Sequence, residues 1–262
     1  MSVLENYSKA FNLTWKVIAL SIVNIILSLL DFEAINRALS FRGIHIGFKF
    51  HLPTIIVRLW DLVSLPGGQG YSATTQLASV EGMPMILVIL FMLLLMLLTS
   101  IVAYIYLRII VVKAIGREVP LNYIRIIDLF LFQLLIMALM LLIVPIAFAN
   151  IATGILFFIL MLIIYYFIYA TPFIIVIHDR GLMEALKQSI SLAMRGEYLG
   201  FTLIYIVVTL ILSPMYTILV VDGKIAGLII SFPLAGITGL WLTTATTLMI
   251  IELTTTTTIQ TQ

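Results

Sequence analysis

The residues able to do acid–base, nucleophilic or metal chemistry are few and scattered. His45 and His51 fall on one side of an alternating stretch, but Lys49 stands between them on that side, and its ammonium would repel a cation. His178-Asp179 is a dyad with no nucleophile near it. The chain has no cysteine, which removes disulfides, thiolate nucleophiles and Cys-based metal sites. No HExxH, GxSxG or Walker-type glycine loop occurs. The expectation is a protein that is not an enzyme, with no catalytic, cofactor or metal site.

The remaining charges suggest structure before chemistry. Arg125 and Asp128 stand three residues apart, as a local ion pair would require. With Arg108, Asp179 and Glu252 they are expected near one level on the inner side of a membrane, as a structural charge belt or, alternatively, a substrate gate. None of these lies near the centre of an apolar run, where an ionisable group would mark a proton relay or ion path. Deeper polar groups are Asn24, Ser100 and Gln133, which could hydrogen-bond between helices or line a small cavity.

Composition sets the class of element that must carry these residues. The 262-residue chain is 63% hydrophobic and 10% charged, with a mean hydropathy of +1.22. Several apolar runs exceed the roughly 18 residues that mark a spanning helix. The formal net charge of +2 is too small to suggest a nucleic-acid partner. The expected architecture is an all-α integral membrane protein, a bundle of six transmembrane helices at about residues 13–30, 85–107, 124–148, 152–177, 199–221 and 225–253. The N-terminal part is polar first and has no small-residue cleavage site, so it reads as an uncleaved first span. Pro172 falls late in the fourth span as an expected kink, Pro214 lies within the fifth, and Pro233 with Gly236 interrupts the sixth as a conceivable hinge. A Thr-rich polar tail, residues 254–262, is expected to be disordered.

Residues 31–82 form a long loop. In it Ile44, Ile46, Phe48, Phe50 and Leu52 alternate with His45, Lys49 and His51, the period of a half-buried strand. A short amphipathic helix through Trp60, stopped by Pro66-Gly67-Gly68, should follow. Strand and helix together would make a small ordered lid on the outer membrane surface, with residues 67–75 flexible. Basic residues orient the chain. With the N-terminus inside, Lys9, Lys16, Arg108, Lys113, Arg117, Arg125, Arg180, Lys187 and Arg195 are internal. Arg37, Arg42, Lys49, Arg58 and Lys224 are external, four of them in the long loop, which weighs less in that rule. The expected location is the cell membrane, with multiple passes and both termini cytoplasmic.

Between the fourth and fifth spans, residues 179–195 read as an inner interfacial amphipathic helix with Asp179 as N-cap. Stepping 100° per residue from Leu186 puts Leu182, Met183, Ile190, Ala193 and Met194 on one arc. Glu184, Lys187, Gln188, Ser191 and Arg195 fall on the other, a candidate surface for a cytoplasmic protein partner. The plain alternative is a connector lying in the headgroup plane with its polar face solvated. The stretch TPFIIVIHDRGLMEALKQSISLAMRGEYLGFTLIY resembles a pattern shared by uncharacterised bacterial and archaeal membrane proteins similar to the membrane domain of some glycerophosphodiester phosphodiesterases. The matching residues are Pro172, Asp179, Gly181, Glu184, Ala185, Leu186, Lys187 and Ser189. The resemblance implies a six-helix membrane domain without the phosphodiesterase chemistry, which resides in a separate soluble domain of those proteins. Glu184-Ala185 is also similar to the coupling loop of importer permeases, but Ile190 stands where that pattern has glycine.

The sixth span carries Gly227, Ser231, Ala235, Gly239, Thr243 and Thr247 at every fourth position, a ridge of small side chains that lets helices approach closely. Packing within the chain is the first expectation for it, and a homodimer face the second. The functional expectation is a non-enzymatic membrane scaffold or accessory component, with the lipid bilayer as its first partner. The alternative is a small-solute or lipid transporter or permease subunit, which would need a polar mid-membrane cavity near Asn24 and Gln133.

Overall fold

The computed structural model describes residues 3–43, 45–65, 84–147 and 151–260. The stop at Pro66-Gly67-Gly68, the flexible loop and the hairpin turn at 148–150 lie outside them. The chain is an all-α, multi-pass membrane protein. Six of its helices are long and apolar enough to cross a bilayer. They are α1 (Val3–Leu29), α4 (Met85–Ile109, extended by a π-helical turn Ile110–Ile115), α5 (Ile124–Ala147), α6 (Ile151–Ile168) continued by α7 (Thr171–Ile177), α9 (Gly196–Val221) and α10 (Lys224–Gln260). Three shorter helices are α2 (Phe32–Ser40), α3 (Leu59–Leu62) and α8 (Leu182–Ala193).

Several elements depart from the sequence expectation. The first span is joined to the segment before it, and the helix runs from Val3 with a 3-10 stretch at Trp15–Leu20 and a kink at Val17. The fourth is broken between α6 and α7, with Pro172 in the first turn of the new helix, where a missing N–H costs nothing. The Thr-rich tail is helical as far as Gln260. Threonine hydroxyls bonded to carbonyls one turn back, such as Thr254 to Ile250 at 2.7 Å, are compatible with helix there.

The chain forms two compact units: Met1–Met92 with Gly200–Leu248, and Leu93–Leu199 with Met249–Gln262. In the first unit the described part of the loop packs along α9 and α10, and its alternating stretch, over the described residues 45–52, is no strand. Residues 45–58 are extended without a ladder partner and lie against α9 and α10. The alternation is real but inverted: Ile46, Phe48 and Phe50 are exposed while His45, Lys49 and His51 are half-buried. Polar groups turned inward and apolar groups outward suit a segment lying within lipid.

α10 receives this segment through its small residues. Asn24 of α1 donates to the Gly236 carbonyl at 3.2 Å. A Cβ on Gly236 would lie 2.9 Å from the Ser21 carbonyl oxygen. One on Gly239 would press on the Val57 carbonyl and lie 2.6 Å from the Asn24 amide nitrogen. Gly227 does the same job at the α9–α10 turn, where a Cβ would drive into the Leu219 carbonyl. Ser231 and Ala235 are buried as well, so the ridge is covered within its own chain.

Gly239→Ala should therefore destabilise the protein by about 1–3 kcal/mol through overpacking. Gly200→Ala, where a Cβ meets nothing within 4 Å, should be neutral or stabilising by up to about 1 kcal/mol. Denaturant unfolding followed by tryptophan fluorescence separates the two; equal effects would contradict the close approach.

Candidate functional site

Two partly buried polar networks, one in each unit, gather most of the described side chains able to do chemistry. In the second unit the network is built on the connection from α7 to α8. Asp179 adopts a left-handed conformation (φ 52°), and its carboxylate accepts from Arg125 Nε at 2.7 Å and Asn122 Nδ2 at 2.9 Å. Arg125 Nη1 also donates to Asp128 at 2.8 Å. Asp128 in turn accepts from the Leu182 backbone N–H at 3.1 Å. The N-cap position of α8 is Gly181, not Asp179. The capping carboxylate comes from α5, in space rather than in sequence, and satisfies an orphan donor of the first turn.

His178 belongs to the same connection. Its Nε2 lies 2.9 Å from Thr254 Oγ1, whose own hydrogen goes to the Ile250 carbonyl. On the other side of the ring Nδ1 lies 3.4 Å from Arg117 Nη2, a donor in every state, so the neutral tautomer protonated at Nε2 satisfies both contacts. Of the five residues expected to form one charge belt, Arg125, Asp128 and Asp179 come together. Arg108 instead donates to the Val119 carbonyl at 3.3 Å, and Glu252 is half-buried on α10.

α8 has three faces rather than two. Ala185, Ser189, Leu192 and Ala193 are buried, with Leu182 and Leu186 half-buried beside them. This face packs on α5, α6 and α7. The apolar arc expected around Leu186 is split, because Met183, Ile190 and Met194 are exposed along a separate stripe. On the polar arc Glu184, Lys187 and Ser191 are exposed, whereas Gln188 and Arg195 are half-buried. Arg195 donates to the Leu253 carbonyl at 2.9 Å. Tyr166 donates to the Ala193 carbonyl at 2.8 Å, and Ser189 donates to that of Phe167 at 2.7 Å.

In the first unit α9 presents a ladder of hydroxyls one turn apart. Thr209 Oγ1 accepts from the His51 N–H at 3.2 Å, Ser213 Oγ from Lys49 N–H at 2.8 Å and Thr217 Oγ1 from Ser64 N–H at 3.0 Å. On α10, Thr243 Oγ1 lies 2.9 Å from both the Ile55 and Gly239 carbonyls. Ser28 of α1 holds α3: its hydroxyl accepts from Leu59 N–H at 2.9 Å, and its carbonyl accepts from Trp60 Nε1 at 2.6 Å. Within the segment, Asp61 accepts from the Arg58 backbone at 2.8 Å and its guanidinium at 3.2 Å. His51 Nε2 lies 4.0 Å from Asp61, and Lys49 Nζ donates to the Trp60 carbonyl at 2.8 Å.

Thr209 is the middle of α9, about 18–20 Å from either end at 1.5 Å per residue. Sequence reasoning missed this placement of ionisable groups beside the centre of a span, because they arrive from a loop. The available signal was the alternation itself, in which every polar member is ionisable or glycine. The His45 ring meets Phe41 edge-on at 5.8 Å. Among the described residues no three His, Asp or Glu side chains are grouped to hold a metal ion. Of the deeper polar groups, Gln133 bonds Thr99 at 3.1 Å and Ser100 bonds the Met96 carbonyl of its own helix.

No protein-family model, curated protein or solved structure matches the chain.

The His178 network makes stability depend on pH. Burial first, and the charges of Arg117 and Arg180 after it, bring the imidazole from 6.5 down to about 4. As pH falls the unfolded chain takes up this proton first, so stability is level above 6.5 and is lost from there toward about 4. His178→Gln should show a flatter unfolding temperature across that window, and a slope equal to wild type would refute the assignment. On α9, Ser213→Ala strands the Lys49 N–H and should cost about 1–3 kcal/mol. The exposed Ser191→Ala should leave the unfolding midpoint unchanged in the same assay.

Proposed function

We propose that the chain is a non-enzymatic scaffold or accessory component of the cell membrane, with both termini cytoplasmic, working through the outward face of α8. The observation that carries this reading is how α8 is held. Asp128 takes its first turn, Ser189 and Tyr166 tie its middle and end, and Arg195 secures the residue beyond it. These bonds satisfy backbone groups at both ends of the helix and in doing so fix it against rotation. Together they present Glu184, Lys187 and Ser191 in a fixed orientation, with Met183, Ile190 and Met194 alongside as contacts for lipid. Rigid presentation of a mixed polar surface is what a docking partner requires, because little ordering entropy is then lost on binding.

A transport component would need a polar cavity near Asn24. That amide is instead closed in by Gly236, Gly239 and Val57, where even a methyl group would not fit. The packing supports the scaffold reading over the carrier. The resemblance of residues 171–205 to membrane domains of glycerophosphodiester phosphodiesterases fits the same reading, since such a domain accompanies chemistry housed elsewhere.

A photo-crosslinking residue placed at Ser191 or Glu184 in native membranes should give one discrete adduct, lost on Lys187→Glu. The same residue at Ile229, which is also exposed, should give none. An adduct pattern identical at all three positions, or no adduct at Ser191 and Glu184, would count decisively against the docking role.

A further inference from the structure

Two spans carry a polar pair where hydrocarbon can offer it nothing. Only 6% of the apolar stretch of α4 and 11% of that of α5 is buried, against 39–50% for those of α6–α7, α9 and α10. α4 and α5 therefore present most of their surface outward. On that surface, within the second unit, Thr99 Oγ1 of α4 lies 3.1 Å from Gln133 Oε1 of α5, in an exposed contact. Thr99 sits near the middle of the helical run from Met85 to Ile115. Gln133 lies about 13–14 Å from the start of α5 at Ile124, taking 1.5 Å per residue, so it too is close to mid-bilayer.

The pair does not satisfy itself. The Met96 carbonyl takes the Ser100 hydroxyl at 2.8 Å as well as lying 2.9 Å from Thr99 Oγ1. The Thr99 hydrogen is thus available to Gln133 Oε1, which leaves two amide N–H groups and a second carbonyl lone pair. Turning the amide over, so that its nitrogen meets Thr99, still leaves one N–H and the carbonyl. Among the described residues no other group bonds the Gln133 side chain. Lipid tails cannot take these groups, and no water waits at that depth.

An amide with a donor and an acceptor to spare is complementary to itself. A second copy inserted in the same orientation brings its own Gln133 to the same depth. A two-fold axis along the membrane normal then pairs N–H with C=O in both directions. Met96 and Met137, each one turn from a member of the pair, are half-buried, and Leu95 beside them is exposed. Unbranched methionines adapt readily to a facing surface. The small-residue ridge of α10 cannot serve as this contact, because Gly227, Ser231, Ala235 and Gly239 are covered within their own chain.

We propose that the face of α4 and α5 around Thr99 and Gln133 is the interface of a two-fold homodimer, closed at mid-bilayer by reciprocal Gln133 amide bonds. This interface stands independently of the docking role of α8.

The chain has no cysteine, so an introduced one reports its own neighbours. Full-length Met137→Cys in native membranes, treated with a short bis-maleimide, should give a band at twice the chain mass. Ile159→Cys, on the exposed surface of α6, should give none. In reconstituted vesicles, energy transfer between donor- and acceptor-labelled Ser191→Cys copies, followed as lipid dilutes them, gives the dissociation constant. Gln133→Leu should raise that constant about five- to tenfold, since two modest interhelical bonds are lost. Ile159→Ala should leave it unchanged. Wild type that stays monomeric at every dilution, a constant unmoved by Gln133→Leu, or a Met137→Cys adduct of another mass overturns the proposal. Should Gln133→Leu fail to fold, the cross-link decides: a doubled mass at Met137→Cys but not at Ile159→Cys supports the interface, and its absence refutes it.

Discussion

A backbone N–H or C=O surrounded by hydrocarbon must find a partner inside the protein, because no water is there to take it. Helices meet that demand alone; an extended segment cannot. Residues 45–65 meet it by borrowing side chains from their neighbours: hydroxyls of Thr209, Ser213 and Thr217 accept from their N–H groups, and Thr243 serves an Ile55 carbonyl. The rest of the first unit follows from that borrowing. α9 must carry hydroxyls one turn apart, α10 must carry glycines where the segment touches it, and α1 must bring Ser28 to α3.

The second unit answers the same demand at a helix break. Stopping α6 at Ile168 leaves its last carbonyls without helical donors. Those of Tyr166 and Phe167 are taken by the Tyr198 hydroxyl and by Ser189 of α8. The break thus creates acceptors, and the helix that packs across it supplies donors. Tyr169 stacks on Tyr198 with ring centroids 4.7 Å apart, which closes the apolar part of the same junction. α8 is held by these satisfied groups together with Leu192 and its small buried residues, while Met183, Ile190 and Met194 are left outward.

Most polar side chains inside the two units are therefore structural, and the functional candidates are those left over once backbone needs are met. On α8 the remainder is an exposed polar arc. The contrast also separates the two networks. Arg125 is shared by two carboxylates, Asp128 and Asp179, whereas Lys49 has no carboxylate in contact.

Composition and run length determined that this is an all-α membrane protein with six spanning helices, since no soluble core needs apolar runs of that length. Local spacing also determined the Arg125–Asp128 pair and the break near Pro172, because both depend on neighbours within a turn. The four-residue ridge on the last helix was legible as a packing surface. What covers Gly239, the backbone of Val57, was not, since that contact joins residues far apart in the chain. The cap of α8 by Asp128, the splitting of its apolar arc and the entry of Lys49 and His51 beside the middle of α9 were decided by tertiary structure alone. In each case a polar group is satisfied by a partner distant in sequence, and alternation or helical period records which side a residue takes but not what waits there.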